Sequence, residues 1–220
     1  MVLKLNTAAM STCGRRVAVV LHEKKVPYEL IEPNWATMEH KSENWLKNQP
    51  FGQMPYIDDD GFILFESRAI IRYIATKYAS SGTPLLPSDT SDLKAMAILD
   101  QAISIETSNF DPNAGGLMKE KVFKKMGGQE ADPAFVAKYE EGMVGKLDGF
   151  EKLLSKQKYM AGDSLTFVDF YYLPYGAGLE QMGYDYLTNG SKHPNVARWW
   201  KEISSRDAWN AVKNGIPASL

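Results

Sequence analysis

Cysteine is almost absent from this chain: Cys13 is the single thiol in 220 residues. One cysteine excludes an intrachain disulfide and a thiolate cluster, and it fits a reducing, intracellular setting. Histidine is scarce as well, and His22, His40 and His193 are scattered along the chain, so no metal site is expected. Charge of one sign is missing, because 25 Lys and Arg stand against 27 Asp and Glu for a net charge of -2. A nucleic-acid partner usually demands a basic excess or stripe, so none is expected. No apolar run reaches the ~18 residues needed to span a bilayer. The opening MVLKLNTAAM lacks the apolar core of a secretory leader. The expectation is a cytoplasmic protein with no membrane partner. Patterns of the GxGxxG, P-loop, HExxH and GxSxG types are also lacking, as are internal repeats.

What is present is ordinary globular composition, with 44% hydrophobic and 24% charged residues. At roughly 100–200 residues per domain, the length allows one large domain or two small ones. The first part reads as mixed α/β. Val2 to Leu5 alternates as a strand, and Ser11 to Lys25 carries Val17, Val20 and Leu21 at helical spacing. Pro27 ends that helix before a strand at Tyr28-Glu29-Leu30-Ile31. After a loop-rich stretch from Glu32 to Pro50, the runs Met54 to Ile57 and Phe62 to Phe65 flank Asp58-Asp59-Asp60-Gly61. Asp-Gly between two apolar runs signals a hairpin. Glu66 to Tyr78 reads as a helix, and the order is β-α-β-α-β-β-α.

Strand signals stop after Ser80-Ser81-Gly82-Thr83-Pro84 and Pro87-Ser88-Asp89, which read as a linker. The expected division is therefore 1–80, a linker at 81–90, and an all-helical domain at 91–220. Leu93 to Ile105 is helical, and Asp111-Pro112 and Gly115-Gly116 interrupt or kink the helix before them. Phe135, Tyr139, Met143, Leu147, Phe150 and Leu154 mark a long amphipathic helix. Thr166 and Asp169 form a capping box, with Asp in place of the usual Glu or Gln.

Four segments can carry chemistry, each with a plain structural alternative. Ser11 opens the first helix, where unpaired N–H groups and the dipole favour an anion; it also suits a simple N-cap. Cys13, in the first turn, is either a reactive thiol or a small buried hydrophobe. Glu66-Ser67-Arg68 opens the third helix and suits a ligand with a carboxylate and an ammonium, or else only a cap. His40-Lys41 lies in the long loop as a ligand contact or a solvated pair. Gln53-Met54-Pro55 leads into a strand, where a Pro belongs at the start and a cis bond is possible.

Together these segments resemble the cytosolic glutathione transferases. The first half is similar to their thioredoxin-like domain through Ser11-Thr12-Cys13-Gly14-Arg15-Arg16, Glu39-His40-Lys41, Asn48 to Pro55 and Leu64 to Ile70. The second half is similar through Asn109-Phe110-Asp111-Pro112 and Tyr159 to Asp169. The resemblance spans nearly the whole chain and looks closest to the phi class of plants and fungi. It implies a thioredoxin-like domain followed by an all-helical domain, with glutathione as co-substrate and no metal. Ser11 would hydrogen-bond the glutathione sulfur. His40 and Lys41 would hold the glycyl carboxylate, and Gln53 and the Met54 backbone would align the tripeptide beside cis-Pro55. Glu66, Ser67 and the adjoining Arg68 would take the γ-glutamyl end. Family members are usually homodimers, with small hydrophobic electrophiles as the second substrate. Thr12, Phe110, Met118, Phe123, Tyr172 and Tyr175 are the candidate liners of that second site, each with helical core as the alternative. Hydroperoxide reduction, carriage of apolar ligands, and use of Cys13 in thiol exchange are further activities the resemblance admits. The Ser11-Thr12-Cys13 run is also similar to the Ser-Ser-Cys run of the zeta class, whose members isomerise keto-acids.

Overall fold

The computed structural model describes residues 2–220. Its chain divides into two compact units, residues 1–86 with 206–220, and residues 87–205.

In the first unit, β1 (Leu3–Asn6) leads into α1 (Thr12–Glu23) and then β2 (Tyr28–Ile31). The short α2 (Glu43–Asn48) precedes β3 (Tyr56–Asp59), β4 (Phe62–Phe65) and α3 (Ser67–Lys77). The four-stranded sheet has the order β2-β1-β3-β4. β1 and β2 run parallel across the α1 crossover, while β3 and β4 are antiparallel. The turn between β3 and β4 is built on Asp60 and Gly61, both at positive φ (56 and 86), as a two-residue hairpin of this hand requires. Asp58 Oδ1 accepts from Gly61 N–H at 2.8 Å and closes it. α1 and α3 pack together, and Leu5, Val17, Val20, Leu21, Ile57, Ile70, Ile71 and Ile74 are fully buried. The β-α-β-α-β-β-α order is the thioredoxin-like arrangement expected from the sequence.

The last fifteen positions depart from the expected boundary. α10 (Asp207–Val212) packs on α1, and the tail beyond it runs along the edge strand β2. Leu30 N–H donates to Ala218 O at 2.8 Å, and Glu29 bridges Ser219 in antiparallel fashion. Residues 206–220 thus belong to the unit that binds β2, and the helical unit ends at Ser205. The physical reason is the exposed edge: a parallel edge strand leaves N–H and C=O groups unpaired unless another segment covers them. Burial pushes the Tyr28 phenol up to about 12, so it stays protonated and donates to Pro217 O at 3.2 Å.

The expected linker is also less loose than its composition suggests. Lys24, which caps the C-terminal end of α1, is fully buried and donates to Thr83 O at 2.8 Å and Ala79 O at 3.3 Å. Glu23 beside it accepts from Arg206 Nε at 2.5 Å, from Arg206 Nη2 at 2.8 Å and from Thr83 Oγ1 at 2.6 Å. This polar knot ties the exit and the return of the chain to the C-terminal end of α1.

The second unit is helical: α4 (Leu93–Ile105), α5 (Asp111–Met118), α6 (Lys124–Met126), α7 (Pro133–Leu154), α8 (Leu173–Gln181) and α9 (Pro194–Ser204). A π-helical turn, Glu106–Phe110, precedes Pro112 at the start of α5. Proline lacks the N–H that an uninterrupted α-helix needs, so the helix widens rather than stops. Met143, Leu147, Phe150 and Leu154 of α7 are buried as the spacing predicts. Phe135 at its start stays 45% exposed and only stacks on Tyr139. Gly116 lets α5 approach α7, since a Cβ there would lie 2.6 Å from the Tyr139 ring.

The capping box is present, opening the 3₁₀ turn Phe167–Tyr171. Asp169 is completely buried; Oδ1 accepts from Met160 N–H at 3.0 Å and Trp199 Nε1 at 2.9 Å, and Oδ2 from Thr166 N–H at 2.9 Å. Burial pushes its carboxyl above the usual carboxylate range, and these donors oppose the shift. Around it, Tyr172 packs its ring 4.8 Å from Phe110 and 5.0 Å from Trp199.

Candidate functional site

The sheet register collects the expected site residues at one end of the first unit. Asn6 at the end of β1 pairs with Tyr56 at the start of β3, and Tyr56 pairs with Phe65 at the end of β4. The loop to Ser11, the bond preceding Tyr56 and the start of α3 therefore emerge side by side. The Met54–Pro55 bond is cis. Ala8 N–H donates to Met54 Sδ at 3.4 Å, which joins the first two of these segments.

Ser11 is the N-cap of α1, and its Oγ accepts from Gly14 N–H at 3.0 Å. A hydroxyl has one donor proton and two acceptor positions. Capping uses only an acceptor position, so the O–H is still able to donate outward. The two readings of Ser11 are compatible rather than exclusive. Ser11, Thr12 and Cys13 are all partly exposed.

Ser67 begins α3 and is buried, with its Oγ accepting from Arg16 Nη1 at 3.1 Å. The same Nη1 lies 3.6 Å from Cys13 Sγ. Arg16 thus ties the first turns of α1 and α3 together. Sequence reading missed it, because an Arg-Arg doublet on a helix looks like solvated surface, yet Arg16 is 1% exposed. Its only signal was position: it lies three residues after Cys13, on the same helix face. Glu66, the N-cap of α3, is exposed and held at φ 69, a left-handed conformation that is costly for a residue with a Cβ. Arg68 follows it, partly exposed.

His40 and Lys41 lie in a short 3₁₀ turn, Glu39–Lys41. His40 is buried against Trp35, with ring centroids 4.8 Å apart, and its Nδ1 has no hydrogen-bond partner among the described residues. Burial lowers its basicity, and the neighbouring Lys41 charge adds to that. Lys41 Nζ donates to Gly52 O at 2.6 Å, and Trp45 Nε1 donates to Gln53 O at 2.9 Å. These bonds fix the strand approach that carries Gln53, whose side chain is exposed. An orphaned imidazole nitrogen and an exposed lysine suit an anionic ligand group.

The other candidates lie in the helical unit, apart from Thr12. Phe110, Met118 and Tyr172 are buried there, and Phe110 and Tyr172 touch each other as part of its aromatic core. Phe123 is 41% exposed and Tyr175 is partly exposed, so only these two of the five retain surface for a ligand. A cleft of ≈ 390 Å³ opens elsewhere in this unit, lined by Ile105, Asn109, Lys146, Gly149, Phe150 and Leu153. Among the described residues, no group of three or more His, Cys, Asp or Glu side chains is arranged to hold a metal ion. No helix among them is long and apolar enough to cross a membrane.

Comparison with known proteins agrees with the fold. Residues 1–76 match the family model "Glutathione S-transferase, N-terminal domain", and residues 116–207 match "Glutathione S-transferase, C-terminal domain". The chain is 43% identical over 210 residues to glutathione S-transferase hmp2 of Hypomyces subiculosus, covering 95% of this chain and 96% of that protein. The crystal structure of glutathione transferase F7 from Populus trichocarpa superposes with a TM-score of 0.89 at 35% identity, covering 98% of this chain and 100% of that one. Glutathione S-transferase I from maize, solved in complex with an atrazine glutathione conjugate, superposes with a TM-score of 0.84 at 30% identity over 97% of each chain.

Proposed function

The chain belongs to the glutathione S-transferase family, phi class, and on that premise we propose that Ser11 donates its O–H to the glutathione sulfur and holds it as the thiolate. The observation that carries this reading is the geometry of Ser11, whose Oγ accepts from Gly14 N–H and keeps its own proton for an outward bond. The thiolate, not the thiol, is the nucleophile. The α1 N-terminus favours the same anion. No general base is needed, because the site stabilises the charge and solvent removes the proton. Attack on an electrophilic carbon then forms the S–C bond, and the leaving group departs with the electron pair. Holding both reactants together supplies the rest of the acceleration.

Glutathione is the co-substrate. His40, with its orphaned Nδ1, and Lys41 take the glycyl carboxylate; Gln53 and the Met54 backbone align the tripeptide beside cis-Pro55. Glu66 accepts from the γ-glutamyl ammonium, and Ser67 with Arg68 receives the γ-glutamyl carboxylate. The exposed Glu66 carboxylate and the Arg16-fixed Ser67 support that assignment. Phe123 and Tyr175, which keep surface in the helical unit, are the side chains we assign to the hydrophobic electrophile. The maize relative's atrazine conjugate supports a substrate of that class. The expected protein partner is a second copy of this chain.

Calorimetric titration with glutathione, followed by initial rates with an aryl halide and an organic hydroperoxide, tests the reading. Saturable glutathione binding with aryl-halide turnover is the expected result, and turnover of the hydroperoxide would add a peroxidase activity. Binding with neither activity refutes the transferase reading. It would favour a carrier of apolar ligands, for which the cleft beside Phe150 and Leu153 offers space.

A further inference from the structure

The C-terminal tail meets the same loop that presents Ser11. Ile216 N–H donates to Ala9 O at 3.0 Å, two residues before the serine. Four residues after the serine, Arg15 Nη1 donates to Lys213 O at 2.5 Å, and its guanidinium lies 6.0 Å from the Trp209 ring centroid. The Ile216 side chain also flanks Gly14, where an added Cβ would lie 3.1 Å from Ile216 Cδ1 and 2.5 Å from Thr7 Oγ1. Gly14 is the residue whose N–H holds Ser11 Oγ. Gly215, at φ 138, lets the chain turn from α10 into this contact.

We propose that residues 213–219 form a positioning element for the thiol site, gripping the Ser11 turn at Ala9, Gly14 and Arg15 and so fixing where the Ser11 hydroxyl points. The inference rests on the Ser11 reading above. The tail is itself fastened, through Ala218 O and Ser219 to β2 and through Pro217 O to Tyr28. β2 pairs in register with β1, the strand that leads into the Ser11 loop. The tail therefore spans from a rigid sheet edge to the helix start. Inside the loop, Ser11 N–H donates to Ala8 O and Ala9 N–H to Glu32 Oε2 at 2.7 Å. Those bonds, with Arg15 N–H to Ser11 O at 2.8 Å, hold the turn from within, whereas Ala9 O and the Arg15 guanidinium are held by the tail. A displacement of about 1 Å at a reacting group can cost on the order of a hundredfold in rate. The tail is a positioning element that acts through Ser11 and not on the substrate.

The test uses full-length protein with Arg15→Met and Ile216→Ala, alongside a chain ending at Val212. Two properties are read: the pH dependence of ultraviolet thiolate absorbance in bound glutathione, and kcat/KM with an aryl halide. Each variant is expected to lose about tenfold or more in kcat/KM and to move the bound thiol upward toward its free value. Affinity for an S-alkyl glutathione, which has no ionisable thiol, should change little. Glu23→Gln loosens the other end of α1 and should lower thermal stability without moving the thiol titration. If the truncated chain does not fold, Arg15→Met and Ile216→Ala still decide. Amide exchange at Gly14 in Ile216→Ala gives an independent readout, expected to be faster than in the parent. Folded variants with the parent's thiol titration, kcat/KM and Gly14 exchange overturn the proposal and leave the tail as a cover for the sheet edge. Ser11→Ala distinguishes the failures: if it too leaves the thiol titration unmoved, the Ser11 reading itself is wrong and the tail's role falls with it.

Discussion

Replacing Ser11 with alanine separates the two tasks of one hydroxyl. As an N-cap, the hydroxyl satisfies Gly14 N–H at 3.0 Å, and losing it costs about 0.5–2 kcal/mol at every pH. As a donor to the sulfur it acts only on the anion. A hydrogen bond to a charged group contributes about 1.5–3 kcal/mol. At ~1.4 kcal/mol per unit, that lowers the bound thiol by about one to two units from its free value near about 8.5. The parent's bound thiol then titrates at about 6.5–7.5, and that of Ser11→Ala close to the free value. At neutral pH the thiolate fraction falls roughly eight- to twenty-five-fold. The rate does not follow that fraction directly, because a less acidic thiolate is a better nucleophile, with a Brønsted slope of about 0.4–0.5.

The titration is therefore the decisive readout, taken from the ultraviolet thiolate absorbance of bound glutathione across pH. Ser11→Gly is the informative companion. Glycine serves as an N-cap at a cost of only a few tenths of a kcal/mol but carries no donor. It should keep most of the thermal stability lost by alanine while titrating as alanine does. Identical thiol titrations in parent, alanine and glycine proteins would show Ser11 to be a cap alone. A parent titration restored by glycine would assign the effect to helix geometry rather than to the hydroxyl.

His40 should titrate below the usual 6.5 in the free protein, because burial and then Lys41 disfavour its charged form. Its contribution to stability is full above that value and is lost as pH falls toward the folded value; glutathione should raise its titration in NMR, since a carboxylate favours imidazolium, and no shift on saturation would remove His40 from the site. Asp169→Asn turns one acceptor oxygen into a donor facing N–H groups of Met160, Thr166 or Trp199, and should cost at least about 2 kcal/mol in urea unfolding; a neutral result would contradict the buried network. Arg206→Met leaves the buried Glu23 carboxylate with Thr83 but without its guanidinium, and should cost about 1.5–3 kcal/mol, read as a lower denaturant midpoint; an unchanged midpoint would show that the pair adds nothing. Asp59 is depressed despite its burial, because Lys77 and Tyr73 donate to it, so its contribution is present above the usual carboxylate range and fades as pH falls below it. Asp59→Asn should flatten the acid limb of the stability curve, and an unchanged limb would exclude that role.

What the sequence made legible was whatever repeats or punctuates locally. The two-residue Asp60-Gly61 turn, the capping box at Thr166 and Asp169, and the buried stripe from Met143 to Leu154 each rest on spacings of four residues or fewer. The β-α-β-α-β-β-α order emerged for the same reason, and the resemblance supplied its thioredoxin-like reading. The failures share the opposite property. Phe135 fits the α7 stripe by period, but it stays half-exposed at the first turn. Phe110, Met118 and Tyr172 stood as ligand liners or as core, since size and apolarity do not separate the two, and they are buried. Lys24 and Arg16 are charged yet buried, and each is bonded to partners tens of residues away in the chain, where no local pattern records them.

The C-terminal tail is the largest such case. Nothing in Lys213 to Ser219 has helical or strand periodicity, and its bonds to Ala9, Arg15 and Leu30 cross nearly two hundred residues of sequence. On the tail's side those bonds are made by Ile216 N–H, Lys213 O and Ala218 O, backbone groups of which proline alone lacks the N–H. Side-chain identity therefore carries almost no record of the contact. The only marks are Gly215, needed for φ 138, and Ile216, buried in a segment otherwise mostly exposed. Contacts to which a segment gives mainly its main chain are read from topology: an edge strand that must be covered and a helix start that must be held still. In this protein one short segment does both.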